Sequence, residues 1–174
     1  MVDAAGTSVP TGDVGEIVVR AACVMRGYRK RPEATAEAVD KDGWLHTGDA
    51  GYFDDEGYLY IYDRVNEMIV SGGANIYPAE VENAIAGHPA VQDAVVIGVP
   101  DAKWGEAVKA IVATRPGTSV EPAVTIAFAR ERFAGYKLPK SMDFAETIPR
   151  NASGKILRRD LRKPYWEGRE RQVN

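Results

Sequence analysis

The pattern of the chain changes at Asp63-Arg64-Val65-Asn66, and that change sets its architecture. Beyond residue 66, apolar strand-like runs alternate with helices that open on proline, in the order β-α-β-β-α-β-α. Met68-Ile69-Val70 reads as a short strand running into a Ser71-Gly72-Gly73 loop. Pro78 starts a helix with Val81, Ala84 and Ile85 on one face, closed by Gly87-His88-Pro89. Ala94 to Val99 and Ala107 to Ala113 read as strands, and Arg115-Pro116-Gly117 as a turn. Helices are predicted over 122–133 and 156–163, with a strand at Met142 to Ala145 between them. This order predicts one compact α+β domain over 67–174, with a short central sheet flanked by helices.

The residues before the break read differently. The first dozen are turn-rich and without periodicity. Gly15 to Arg20 reads as a strand and Pro32 to Val39 as a short helix. Ala50 to Phe53 and Tyr58 to Tyr62 form an aromatic-rich hairpin turning at Asp54-Asp55-Glu56-Gly57. Residues 1–62 are thus strand-rich but short of core, as the end of a larger domain would be, with 63–66 as a connecting hinge.

Composition excludes several functions. A net charge of −3 gives no general footing for nucleic acid, and no apolar run approaches membrane-spanning length. Cys23, the sole cysteine, has no internal disulfide partner, which fits a reducing cytoplasm. Its setting predicts a small buried hydrophobe in a strand. Arg150, Lys155, Arg158, Arg159, Arg162 and Lys163 crowd together near the end; a solvated helix face is favoured there over an anion site. Nothing in the sequence has metal-ligand spacing.

Three stretches suggest chemistry. Pro149-Arg150-Asn151-Ala152-Ser153-Gly154-Lys155 sets one lysine on a Ser-Gly turn just before a basic helix, which suits an ammonium reaching toward a developing negative charge. In Trp44-Leu45-His46-Thr47-Gly48-Asp49 the carboxylate either caps a turn or accepts two hydrogen bonds from a vicinal diol. Arg64 lies past the far strand of the same hairpin. Gly72-Gly73 either makes a tight loop or lets a thin ligand approach closely, and it lacks the spacing of a phosphate loop.

Together these stretches resemble the adenylate-forming superfamily: acyl-CoA synthetases, peptide-synthetase adenylation domains and luciferases. Gly15-Glu16-Ile17, Gly27-Tyr28, Gly43 to Asp49, Asp63-Arg64, Ser71-Gly72-Gly73, Tyr77 to Glu82, Gly98 to Asp101 and the Gly154-Lys155 turn occur in family order across nearly the whole chain. The resemblance implies that Asp49 holds the ATP ribose hydroxyls, with Arg64 near ribose and phosphate. It implies that Lys155 bridges the carboxylate substrate and the α-phosphate during adenylation, where a positioned cation offsets gathering charge. Gly72 and Gly73 would border the pantetheine channel. Trp104 and Tyr136 would lie near the CoA nucleotide, or else belong to the core; Lys137 and Lys140 would meet CoA phosphates or be exposed.

The resemblance further implies ATP with Mg2+, CoA and a carboxylic acid, most simply a fatty acid, in a cytoplasmic enzyme. The hinge position, commonly Asp or Lys, is filled by Asn66, which tolerates unusual backbone angles but carries no charge. The family's phosphate loop and acid pocket lie upstream of Gly15 and are not among these residues, so the missing N-terminal domain counts as a partner. The isolated chain is expected to be inactive. Two alternatives stand beside this: a stand-alone CoA-binding or docking module, and an adenylation domain that loads a carrier protein. An exposed Lys155 would also suit modification by a protein acetyltransferase.

Overall fold

The computed structural model describes residues 1–132 and 134–168. The chain divides into two compact units, Met1–Asn66 and Glu67–Asn174.

The first unit is a three-stranded antiparallel sheet, β1 (Gly15–Val19), β2 (Leu45–Phe53) and β3 (Leu59–Arg64), in the order β1-β2-β3. The short helix α1 (Pro32–Ala38) begins on its proline. Near the start of the chain, Val2 pairs with Glu16 on β1. The hairpin turns where predicted, because the Asp54 carboxylate accepts the amides of Glu56 and Tyr58. Strand β2 starts earlier than the aromatic pattern suggested. Ala50 is the one apolar side chain of this unit that is fully buried.

Cys23 corrects an expectation: it is exposed and lies in a loop. The Val24 amide bonds back to the Ala21 carbonyl, so the segment closes a turn instead of extending as a strand.

The second unit holds a five-stranded sheet of order β5-β4-β7-β6, with β8 parallel to β7. Its strands are β4 (Ile69–Ser71), β5 (Ala74–Ile76), β6 (Val91–Asp101), β7 (Gly105–Thr114) and β8 (Ser141–Phe144); its helices are α2 (Pro78–Ala86), α3 (Pro122–Arg130) and α4 (Arg158–Arg162). Alternation along the two long strands explains the layering. Ala94, Val96, Val108, Ala110 and Val112 face one side, packed with Val81 and Ile85 of α2 and Ala129 of α3. Val95, Ile97, Ile111 and Ala113 face the other, against Ile148, Ile156 and Leu161. Both faces of β6 and β7 are covered, so the strands read as continuous apolar runs rather than as alternating ones.

Three details differ from the sequence reading. Strand β5 was not foreseen; the Ser71-Gly72-Gly73 segment is the turn of a β4–β5 hairpin. Helix α3 ends at Arg130; Phe133, its predicted end, lies outside the described residues. The last helix is short because Ile156 is spent on a β-bridge to Arg150, so helix begins only at Arg158.

Candidate active site

In the first unit, Asp49 and Arg64 are cross-strand partners, and Arg64 Nη1 donates to Asp49 Oδ1 at 2.9 Å. The arginine is 57% exposed and the aspartate 31%. A pair so open to water contributes at most about 1 kcal/mol; what it provides is a carboxylate held in one place with one oxygen engaged.

The segment before Asp49 is a bulge in β2 rather than a free turn. Between the Glu16–Ala50 and Val18–His46 pairs, β2 carries extra residues, and Gly48 takes the left-handed conformation, φ +72°. Glu16 holds this bulge. One carboxylate oxygen accepts the Gly48 amide at 3.1 Å and the other meets His46 Nδ1 at 2.7 Å. The Thr47 hydroxyl donates to the Ile17 carbonyl at 2.8 Å and accepts the Asp49 amide at 3.1 Å. Asp49 therefore does not cap the turn. Glu16 was missed as a functional residue, and its signal was its place in Gly15-Glu16-Ile17.

In the second unit, Gly72 and Gly73 both adopt positive φ, +59° and +82°. The Gly72 amide donates to the Trp104 carbonyl at 2.9 Å, and the indole lies against the Gly72 α-carbon. The Asp101 carboxylate accepts the amides of Lys103 and Trp104, fixing that turn, and the Lys103 ammonium sits 4.6 Å above the indole. Trp104 and Tyr136 are exposed, so the core reading of either ring is set aside.

Lys137 is not simply exposed. Its ammonium donates to both Glu80 oxygens, at 2.7 and 2.8 Å, in a half-buried pair, whereas Lys140 is exposed. Asn66 ends the first unit, inside the 3-10 turn Val65–Glu67.

The basic cluster also resolves differently from a uniformly solvated face. Arg150 meets Asp93 at 2.6 Å, Arg158 forms a two-pronged pair with Glu82, and Arg162 lies 3.8 Å from Glu67. Lys155, Arg159 and Lys163 remain exposed. The Lys155 backbone is held on both sides. Its amide donates to Asn151 Oδ1 and its carbonyl accepts the Asn151 amide, each at 2.9 Å, while Gly154 takes φ +82° to close the turn. Among the described residues, no ion pair or hydrogen bond engages the Lys155 ammonium.

Among the described residues, no three His, Cys, Asp or Glu side chains are grouped as metal ligands, and no helix is long and apolar enough to cross a membrane. The arrangement offers a fixed carboxylate beside a guanidinium in one unit. In the other it offers an unengaged ammonium on a fixed turn and a Gly-Gly hairpin under an indole.

Comparison with known proteins bears on this combination. Residues 80–155 match the AMP-binding enzyme C-terminal domain. The chain is 49% identical over 160 residues to a feruloyl-CoA synthase of an Amycolatopsis species, covering 92% of this chain and 32% of the relative. It is 45% identical over its full length to the fatty acid–[acyl-carrier-protein] ligase ScoC of Streptomyces coeruleorubidus, covering 33% of that protein. Among solved structures, ATP-bound MatB from Rhodopseudomonas palustris superposes with a TM-score of 0.88 at 36% identity, over 94% of this chain and 33% of that one. The chain thus spans about a third of the length of the relatives it matches. With the α+β fold of the second unit and the family-model match, residues 80–155 belong to the AMP-binding enzyme C-terminal domain family.

Proposed function

We propose that this chain serves an ATP-dependent acid–thiol ligase as its C-terminal part. In the first half-reaction a carboxylate oxygen attacks the ATP α-phosphorus, forming an acyl-adenylate and releasing pyrophosphate. In the second, the CoA thiol attacks the acyl carbon, forms the thioester, expels AMP and gives up its proton. Lys155 is the cation for the first step, where two anions must approach and a positioned ammonium offsets their charge. Asp49 accepts the ribose hydroxyls and Arg64 stands by the nucleotide. Gly72 and Gly73 line the thiol's approach, Trp104 and Tyr136 offer faces to the CoA adenine, and Asn66 is the hinge residue.

The single observation that carries this reading is the contrast at residues 150–162. Each arginine at 150, 158 and 162 faces a carboxylate, while the exposed Lys155 ammonium between them meets no partner among the described residues. Mg2+ would bind chiefly through the nucleotide phosphates, as it does where proteins supply few ligands. A fatty acid is the proposed substrate, supported by the likeness to a fatty acid ligase. A cytoplasmic setting and acetylation of the exposed Lys155 belong to the same reading.

The test is made in the full-length ligase that carries this chain. Lys155→Gln is expected to abolish carboxylate-dependent ATP–pyrophosphate exchange while sparing thioester formation from supplied acyl-adenylate. Equal loss of both steps counts against the assignment. The 174-residue chain is expected to show no exchange with any acid, and micromolar binding of CoA to it in calorimetry would favour a stand-alone CoA-binding module. A carrier-protein acceptor is the second reading, favoured by the 45% identity to ScoC. Transfer to a phosphopantetheinylated carrier protein in preference to CoA would establish it.

A further inference from the structure

The residues flanking Lys155 form a frame around its backbone. The Asn151 side-chain oxygen accepts the Ser153 amide at 3.0 Å, the Ser153 hydroxyl at 2.8 Å and the Lys155 amide at 2.9 Å, beside the backbone bonds that Asn151 makes to Gly154 and Lys155. Arg150 divides its fork: Nη1 donates to the Gly154 carbonyl at 3.0 Å and Nη2 to Asp93 on β6 at 2.6 Å. On the far side, Arg158 donates through both Nη atoms to Glu82 of α2, and Nη1 also reaches the Val96 carbonyl at 3.1 Å. Glu82 in turn accepts the Val96 amide at 2.7 Å. The turn is thus tied to the sheet before the lysine and to the sheet and α2 after it.

We propose that Arg150, Asn151 and Arg158 are positioning residues for Lys155, holding the root of its side chain so that only the four-carbon stem moves. This deepens the reading of Lys155 as the adenylation cation and rests on it. The physical need is entropic. A lysine stem gives up considerable rotamer freedom when its ammonium is placed, and a wandering root would add backbone freedom to that cost. Both flanking positions require arginine, because each guanidinium serves a backbone carbonyl and a carboxylate at once, a division that a point-charge ammonium does not reproduce.

The experiment compares Asn151→Ala and Asn151→Asp in the 174-residue chain by amide hydrogen exchange. Asn151→Ala removes the acceptor, so the Ser153 and Lys155 amides are expected to exchange at least tenfold faster. Asn151→Asp presents an oxygen to the same three donors and is expected to restore slow exchange. The Ala110 and Val112 amides, on the buried strand β7, report the core and are expected to be unchanged in both. Wild-type exchange at Ser153 and Lys155 in Asn151→Ala, failure of Asn151→Asp to restore it, or acceleration of the core amides in step would overturn the proposal.

Lys155→Gln is expected to leave all four amides unchanged, which separates the frame from the lysine's chemistry. In the full-length exchange assay, Asn151→Ala is expected to lower kcat at least fivefold with KM for ATP unchanged, and Asn151→Asp to recover it. A wild-type kcat in Asn151→Ala beside an inactive Lys155→Gln overturns the positioning role alone. A fully active Lys155→Gln overturns the adenylation reading on which it rests.

Discussion

A β-carbon added at Gly72 would stand 2.5 Å from Cε3 of Trp104, so the indole and the glycine exclude any side chain between them. Gly73, next in the chain, has a similar positive φ but nothing within 4 Å of the same position. The pair separates two reasons for glycine. Left-handed backbone costs a non-glycine residue about 1–2 kcal/mol, and overpacking adds about 1–3 kcal/mol more. Gly72→Ala is therefore expected to destabilise the chain by about 2–5 kcal/mol in urea unfolding and to shift the tryptophan emission. Gly73→Ala should stay near 1–2 kcal/mol with the emission unmoved. Equal losses would show that Trp104 yields freely.

Glu16 is the second position where structure adds a role. Removing its carboxylate leaves the Gly48 amide and His46 without their partner in a partly buried bulge. Glu16→Ala is expected to cost about 1–3 kcal/mol, the range for an orphaned polar group. Glu56, exposed in the hairpin turn, is the control; Glu56→Ala should stay within about 0.5 kcal/mol. Comparable midpoints for the two variants in urea would refute the role given to Glu16.

What the sequence made legible, and what it hid, follows from the range of the interactions. Strands β6 and β7 and helix α2 were readable because their signals are local: apolar runs, a starting proline, a closing glycine. Strand β5 was not, since Ala74-Asn75-Ile76 is only three residues long and its pairing depends on the Gly72-Gly73 turn. Asp49, Gly72 and Lys155 stood out because each lies within an ordered motif. Their supports did not. Glu82 and Arg158 are 76 residues apart, and Asp93 and Arg150 are 57 apart. No periodicity connects residues at that separation, so the basic cluster read as a solvated face until the carboxylates opposite it were known.

Lys137 and Lys140 illustrate the same point and give a third prediction. The Glu80–Lys137 side chains are 24% and 20% exposed, so their pair is screened less than a surface one. Breaking it with Lys137→Ala is expected to cost about 1 kcal/mol, and a double-mutant cycle with Glu80→Gln should recover most of that as coupling. Lys140→Ala should be neutral within about 0.5 kcal/mol. Zero coupling in the cycle would show that the pair does not contribute to stability.

The last prediction concerns pH, through the cluster that ties the segment after α4 to the sheet. The Tyr165 hydroxyl donates to Asp143 Oδ2 at 2.8 Å, and Lys109 meets the same oxygen at 2.9 Å with its ammonium 5.0 Å from the Tyr165 ring. Burial, then the hydrogen bond to Asp143, pushes the Tyr165 phenol from 10.0 up to about 12. Lys109, then the tyrosine hydroxyl, holds Asp143 below the usual 3.8 against the opposing effect of burial. A raised phenol stabilises the fold fully below pH 10, and that contribution fades as pH climbs toward 12. A lowered carboxyl stabilises it above pH 3.8, and that contribution fades as pH falls through the folded value. Tyr165→Phe should therefore be less stable than wild type at neutral pH, with the gap narrowing between pH 10 and 12. Asp143→Asn should show its gap narrowing on the acid side instead. Groups that touch none of Tyr165, Asp143 and Lys109 contribute equally to each variant and to wild type, so they cancel in the differences. Urea midpoints measured from pH 3 to 12 decide it, and a Tyr165→Phe gap that stayed constant across the alkaline limb would refute the coupling.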